Sequence, residues 1–182
     1  MIRVAAIIFA AGLGLGAAPL EAAAADGPLV LVAGGGGDGY APAVARMVQS
    51  MIEYTRWPAV QNPVELCVAG PALRAARLDV LRLSDGRAIT RRAVPASPVA
   101  LAGCDALYIG QVPPPQARQL TDAVRGRGVL TIAEADPDGR GQAMFALVFQ
   151  PGAVSFRLNI DAVSRSGLRV DPRVLRLAQG GG

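Results

Sequence analysis

Cys67 and Cys104 are the only thiols among 182 residues, and what two thiols can do depends on the compartment. In a reducing cytosol such a pair points first to metal binding or redox catalysis. In an oxidising compartment it points to a disulfide. A second candidate for chemistry is Gly34, Gly36 and Gly39, which formally satisfy G-x-G-x-x-G. That loop cradles a pyrophosphate when a strand precedes it and a helix follows. Residues 29–33 could serve as the strand, but the fingerprint also wants an acidic residue closing the second strand to hold a ribose. Gly70 and Pro71 stand there, while Glu65 opens that strand and Glu53 lies on the helix before it. A flexible linker is therefore the stronger reading of these glycines. Asp136-Pro137-Asp138-Gly139 resembles a fragment of a calcium loop, yet it lacks the alternating oxygen ligands and the distal glutamate, so it reads as a polar turn.

Missing residue types exclude more than the present ones suggest. The chain has no His, which removes Ser-His-Asp and Cys-His nucleophile pairs, His-containing zinc sites and an imidazole general base. All 18 basic residues are Arg, so there is no Walker lysine and no Schiff-base lysine. Codon bias explains the arginine-only usage more simply than phosphate recognition does. With catalytic, cofactor and metal groups all lacking, the expectation is a protein that is not an enzyme. A net charge of +4 with 4% aromatics also argues against nucleic-acid binding.

The amino terminus decides the compartment. Arg3 supplies a positive start, residues 4–20 are apolar, and Ala23 and Ala25 are small residues suited to a peptidase cut ahead of Asp26. A retained anchor would need about 20 apolar residues, and this run carries Gly12, Gly14 and Gly16 and is broken by Pro19. Residues 1–25 are read as a signal peptide cleaved near Ala25, 26–39 as a glycine-rich linker, 40–178 as one domain and 179–182 as a flexible tail. Both cysteines sit at or beside buried strands, where inert thiols are the alternative. Export favours a Cys67–Cys104 disulfide, whose loop of nearly 40 residues would contribute about 4 kcal/mol in the chain-entropy model.

The elements that must position these groups follow from periodicity. Val44, Met47, Val48, Met51 and Ile52 recur at helical spacing after Pro42, and the helix is expected to end near Trp57-Pro58. Residues 64–69 read as a buried strand, 71–81 as a helix, 87–94 as a more exposed strand and 105–110 as another buried strand. A helix over 116–125 after Pro113-Pro114-Pro115 and a strand over 129–133 continue the alternation. This predicts an α/β fold, a single three-layer domain with a mostly parallel central sheet. Residues 144–149 and 154–158 flank Pro151-Gly152 and add a C-terminal antiparallel hairpin. Short helices over 161–166 and 172–178 end the chain.

Candidate contact residues are fewer. Trp57, the only tryptophan, is by default a packing residue, but beside Arg56 it could form an interface anchor, for which Trp and Arg are enriched. Arg165, Arg169, Arg173 and Arg176 recur at three- to four-residue intervals, interrupted by Gly167 and Pro172. A solvated face is the plain reading; attraction to an acidic partner or an anionic membrane is the functional one. Arg56, Trp57, Arg169, Arg173 and Arg176 are the candidate partner-binding set.

Taken in order, Glu53-Tyr54-Thr55-Arg56-Trp57-Pro58, Glu65-Leu66-Cys67-Val68-Ala69-Gly70 and Leu101-Ala102-Gly103-Cys104-Asp105-Ala106-Leu107-Tyr108-Ile109 form a distinctive series. It continues through Gly128-Val129-Leu130-Thr131-Ile132 and Phe156-Arg157-Leu158-Asn159-Ile160-Asp161-Ala162 to Leu175-Arg176-Leu177-Ala178. This series resembles the YfiR family of exported regulators, the domain family DUF4154. The resemblance implies a periplasmic, non-catalytic protein that represses an inner-membrane diguanylate cyclase by binding its periplasmic sensor domain. It also implies that Cys67 and Cys104 pair and that their redox state tunes repression. A homodimer is compatible with this reading. The alternative is a periplasmic solute-binding or accessory protein with a pocket at the carboxyl ends of the parallel strands.

Overall fold

Helical spacing after Tyr40 produces α1 (Ala41–Glu53), with Val44, Met47, Val48, Met51 and Ile52 buried and Pro42 in its first turn. The computed structural model describes residues 31–32 and 39–178. The expected leader (1–25), the tail (179–182), Gly34 and Gly36 lie outside the described residues. The helix stops before Trp57-Pro58 because the chain turns extended at Thr55, whose buried Oγ1 donates to the Met51 carbonyl at 2.7 Å. Thr55–Arg56 is β2, a two-residue strand that periodicity could not reveal.

The main sheet holds seven of the nine strands among the described residues, in the order β1-β8-β7-β6-β5-β3-β4. β3 (Val64–Ala69), β4 (Ile89–Val94), β5 (Ala106–Ile109), β6 (Leu130–Ala133) and β7 (Phe145–Gln150) are mutually parallel. α2 (Pro114–Val124) carries the chain between β5 and β6. β8 (Ala153–Leu158) returns antiparallel to β7, with Gln150 paired to Ala153 and Gly152 at φ 76°, the positive value that follows proline in a type II reversal. Leu31–Val32, inside the stretch expected to be a linker, forms β1 and pairs with Val154 and Ala153 of β8. This places β1 at the sheet edge rather than at the centre, where a dinucleotide fold puts the strand of its glycine loop.

Side-chain alternation along the central strands fills two layers. Val64, Leu66, Val68, Ala106, Tyr108, Leu130 and Ile132 face α1. Cys67, Ala69, Leu107 and Ile109 join Ala117, Leu120 and Val124 of α2 on the other face. The domain is therefore the expected three-layer α/β sandwich.

Two segments depart from expectation. Residues 71–81 are not a helix; only Leu78–Val80 form a single 3₁₀ turn. Their main-chain groups are taken by strand ends instead: Gln111 N–H donates to the Pro71 carbonyl at 2.6 Å, and Leu73 and Arg74 N–H both donate to the Glu134 carboxylate at 3.2 Å. In the tail, α3 (Ile160–Ser164) is followed by β9 (Arg169–Val170), a 3₁₀ turn at Pro172–Val174 and α4 (Leu175–Ala178). β9 pairs antiparallel with β2, making a separate two-stranded sheet.

Candidate functional site

Cys67 lies within β3 and Cys104 two residues before β5, and the structure joins them in a disulfide with a Cα separation of 5.7 Å. Gly103 at φ 73° makes the turn that presents Cys104. Next to it, Glu65 and Asp105 exchange bonds, the Asp105 carboxylate and the Glu65 carbonyl each accepting a backbone N–H at 2.9 Å. β3 is thus clipped to the entry of β5 covalently and by hydrogen bonds. The sequence did not single out Arg92, which is opposite Cys67 in the β3–β4 register. Its guanidinium is 3.3 Å from the Cys67 sulfur, 3.7 Å from that of Cys104 and 2.9 Å from the Ala102 carbonyl. A cation beside both sulfurs favours the thiolates formed on reduction.

Of the candidate contact residues, Arg56 and Arg169 lie on the small sheet, Trp57 and Arg173 follow its strands, and Arg176 lies elsewhere. Arg56 and Arg169 are cross-strand partners, both exposed, in a pairing of like charges that gains nothing within the fold. Arg56 Nη1 donates to the Glu53 carbonyl at 3.0 Å. Trp57 follows, half-buried against the α1-side core, and its buried Nε1–H has no acceptor among the described residues. Arg56, Trp57, the largely exposed Val60, and Arg87 with its ion-pair partner Asp85 at 2.7 Å line an open groove of about 410 Å³. Arg173 is forked onto Asp171, with Nε and Nη2 within 2.6–3.1 Å of its carboxylate, and reaches the Tyr54 ring at 5.7 Å. Hydrogen bonds from Arg173 hold the Asp171 carboxyl down at about 2 and raise the arginine. Asp171 N–H donates to the Tyr54 carbonyl at 2.8 Å, extending the β2–β9 connection. Arg176 stands apart on α4, which packs against β8. Among the described residues, Arg56, Arg169 and Arg176 make no ion pair.

At the carboxyl edge of the main sheet, Glu134 is 2% exposed and had no signal in the sequence. Besides the Leu73 and Arg74 amides, it accepts the Tyr108 hydroxyl at 2.8 Å. Burial, and then the neighbouring carboxylate, push the Tyr108 hydroxyl far above its ordinary range, so it acts as a donor. Asp136 is buried in a polar turn, accepting from Gly141 N–H at 3.0 Å. Among the described residues no group of His, Cys, Asp or Glu is arranged to hold a metal ion. A cavity of about 600 Å³ opens beside Glu134, with Arg74, Leu147 and Phe156 in its walls. No helix among the described residues is long and apolar enough to cross a membrane.

The model of the YfiR/HmsC-like family, DUF4154, matches residues 41–179 of the chain.

Proposed function

We propose that this chain, which belongs to the YfiR/HmsC-like family, is a non-catalytic periplasmic regulator that represses an inner-membrane diguanylate cyclase by binding that enzyme's periplasmic sensor domain. The observation that carries this reading is the β2–β9 surface. Arg56 and Arg169 are exposed side by side next to Trp57, and neither forms an ion pair among the described residues. Exposed guanidinium groups flanking a half-buried indole are the composition of an interface anchor, with an acidic partner the natural complement. Arg173, already forked onto Asp171, contributes to the shape of this surface, and Arg176 adds to its long-range field. In this reading residues 1–25 direct export and are removed near Ala25.

Redox tuning would act through the disulfide. Reduction removes the covalent clip between β3 and β5 and lowers the population of the binding-competent form, releasing the cyclase. Arg92 makes that reduction easier. The decisive measurement is cellular cyclic di-GMP in strains with this protein, without it, and with Arg56→Glu/Arg169→Glu or Cys67→Ser. Loss of the protein and the double charge reversal are expected to raise cyclic di-GMP alike. Unchanged levels in both would rule out cyclase repression.

A further inference from the structure

β6 and β7 part company early. Only Ile132 with Phe145 and Ala133 with Ala146 are in register, after which β6 ends and β7 runs on through Leu147–Gln150. The gap between the extending strand and the loop at Glu134–Pro137 is the cavity of about 600 Å³, within the size range of small-molecule sites. Val148 and Phe149, both partly exposed, supply apolar walls over a floor of buried Leu147 and Phe156, while Gln111 and Ser155 add neutral polar groups.

Four ionisable groups line it: Arg74, Arg157, Glu134 and Asp136. Both carboxylates are turned inward, 2% and 4% exposed, and accept hydrogen bonds from the protein. Arg157 donates to the Asp136 carbonyl at 3.4 Å. Arg74 differs from all of them. Its guanidinium lies 4.4 Å from the Tyr40 ring centroid and 4.1 Å from that of Phe149, while its backbone N–H is held by Glu134. Among the described residues its side chain donates to no acceptor and makes no ion pair. Tyr40 and Phe149, themselves edge-to-face at 79°, hold the guanidinium by cation–π attraction without taking up its N–H donors, which can therefore bond a carboxylate. The segment is held before any ligand arrives, so little ordering is required on binding.

We infer that this cavity binds a small organic monocarboxylate, its carboxylate on Arg74 and its apolar body against Val148 and Phe149. The inference is independent of the cyclase reading, because it is tested on the purified chain alone. The probe is 3-phenylpropionate, titrated calorimetrically against the oxidised mature protein, with 3-phenylpropionamide as the uncharged control. Saturable binding of the acid is expected, with the amide and Arg74→Gln each weaker by about tenfold or more, which is about 1.4 kcal/mol. Ser155→Tyr, which narrows the cavity without touching Arg74, should weaken the acid too, and it decides the matter if Arg74→Gln does not fold. Equal affinity for acid and amide, undiminished binding by a folded Arg74→Gln variant, or no binding up to about 10 mM, a limit near 3 kcal/mol, would overturn the inference.

Discussion

Two gaps at the carboxyl edge of one sheet have opposite outcomes. Strand order reverses between β3 and β5, the position where open α/β sheets ordinarily bind ligands. Here that position is filled by main chain. Gly110 lets the Pro71 backbone lie directly on the end of β5, where an added Cβ would be 2.6 Å from the Pro71 carbonyl carbon and 2.9 Å from the Ala72 nitrogen. The amino ends of the same two strands are tied by the Cys67–Cys104 disulfide and the Glu65–Asp105 exchange. Between β6 and β7, by contrast, two register pairs suffice, and the strands diverge around a cavity. A switch point offers a crevice only when no neighbouring loop packs into it; here the residues that close one gap, Pro71 to Arg74, also furnish the wall of the other.

The largest effect that tests this contrast is expected from Gly110→Val. Its side chain meets backbone, which cannot rotate aside, so a loss of about 4 kcal/mol or more is expected by urea denaturation. A mild loss would mean that the closed gap can open. The disulfide comes next. Cys67→Ser/Cys104→Ser should lose about 2–4 kcal/mol, readable from the denaturation midpoint, with the helical circular dichroism signal retained. Third, Glu134→Ala strands the Tyr108 hydroxyl and two amides and should lose about 1–3 kcal/mol. The same variant frees the Arg74 loop, so 3-phenylpropionate affinity should fall with it; unchanged affinity would separate the two gaps. The smallest effect on stability belongs to exposed Arg92→Gln, within about 0.5 kcal/mol. Its signature is redox: without the cation the disulfide becomes harder to reduce, by up to about 30 mV against dithiothreitol, since about 30 mV corresponds to roughly 1.4 kcal/mol for this couple.

Long periodic segments were readable before any fold was known. α1 followed from five apolar residues on one face, β3 was placed at residues 64–69 as found, and Pro151-Gly152 marked the hairpin. Residues 71–81 misled because their apolar spacing is compatible with a helix, whereas their amides are claimed by Glu134, far along the chain. β2 and β9 are two residues each, too short to carry a period, and exist because they pair with one another. Of the candidate contact residues, Arg56, Trp57, Arg169 and Arg173 lie on or beside one small sheet and Arg176 elsewhere, a proximity set by the β2–β9 pairing that no local pattern shows.

What the amino-acid sequence determined by itself is whatever depends on residue type and near neighbours: the apolar faces of α1 and α2, the buried strands, the proline-glycine reversal, and the lack of imidazole and amine chemistry. Only the tertiary structure decided which distant groups meet. Arg92 reaches two sulfurs because β4 pairs in parallel with β3, Glu134 collects the Tyr108 hydroxyl from neighbouring β5 and two amides from the loop packed over it, and Arg74 is held by aromatic rings from α1's approach and β7. Those encounters depend on strand order and register. Burial and hydrogen-bond satisfaction across the whole domain select that order and register, and no local pattern encodes them.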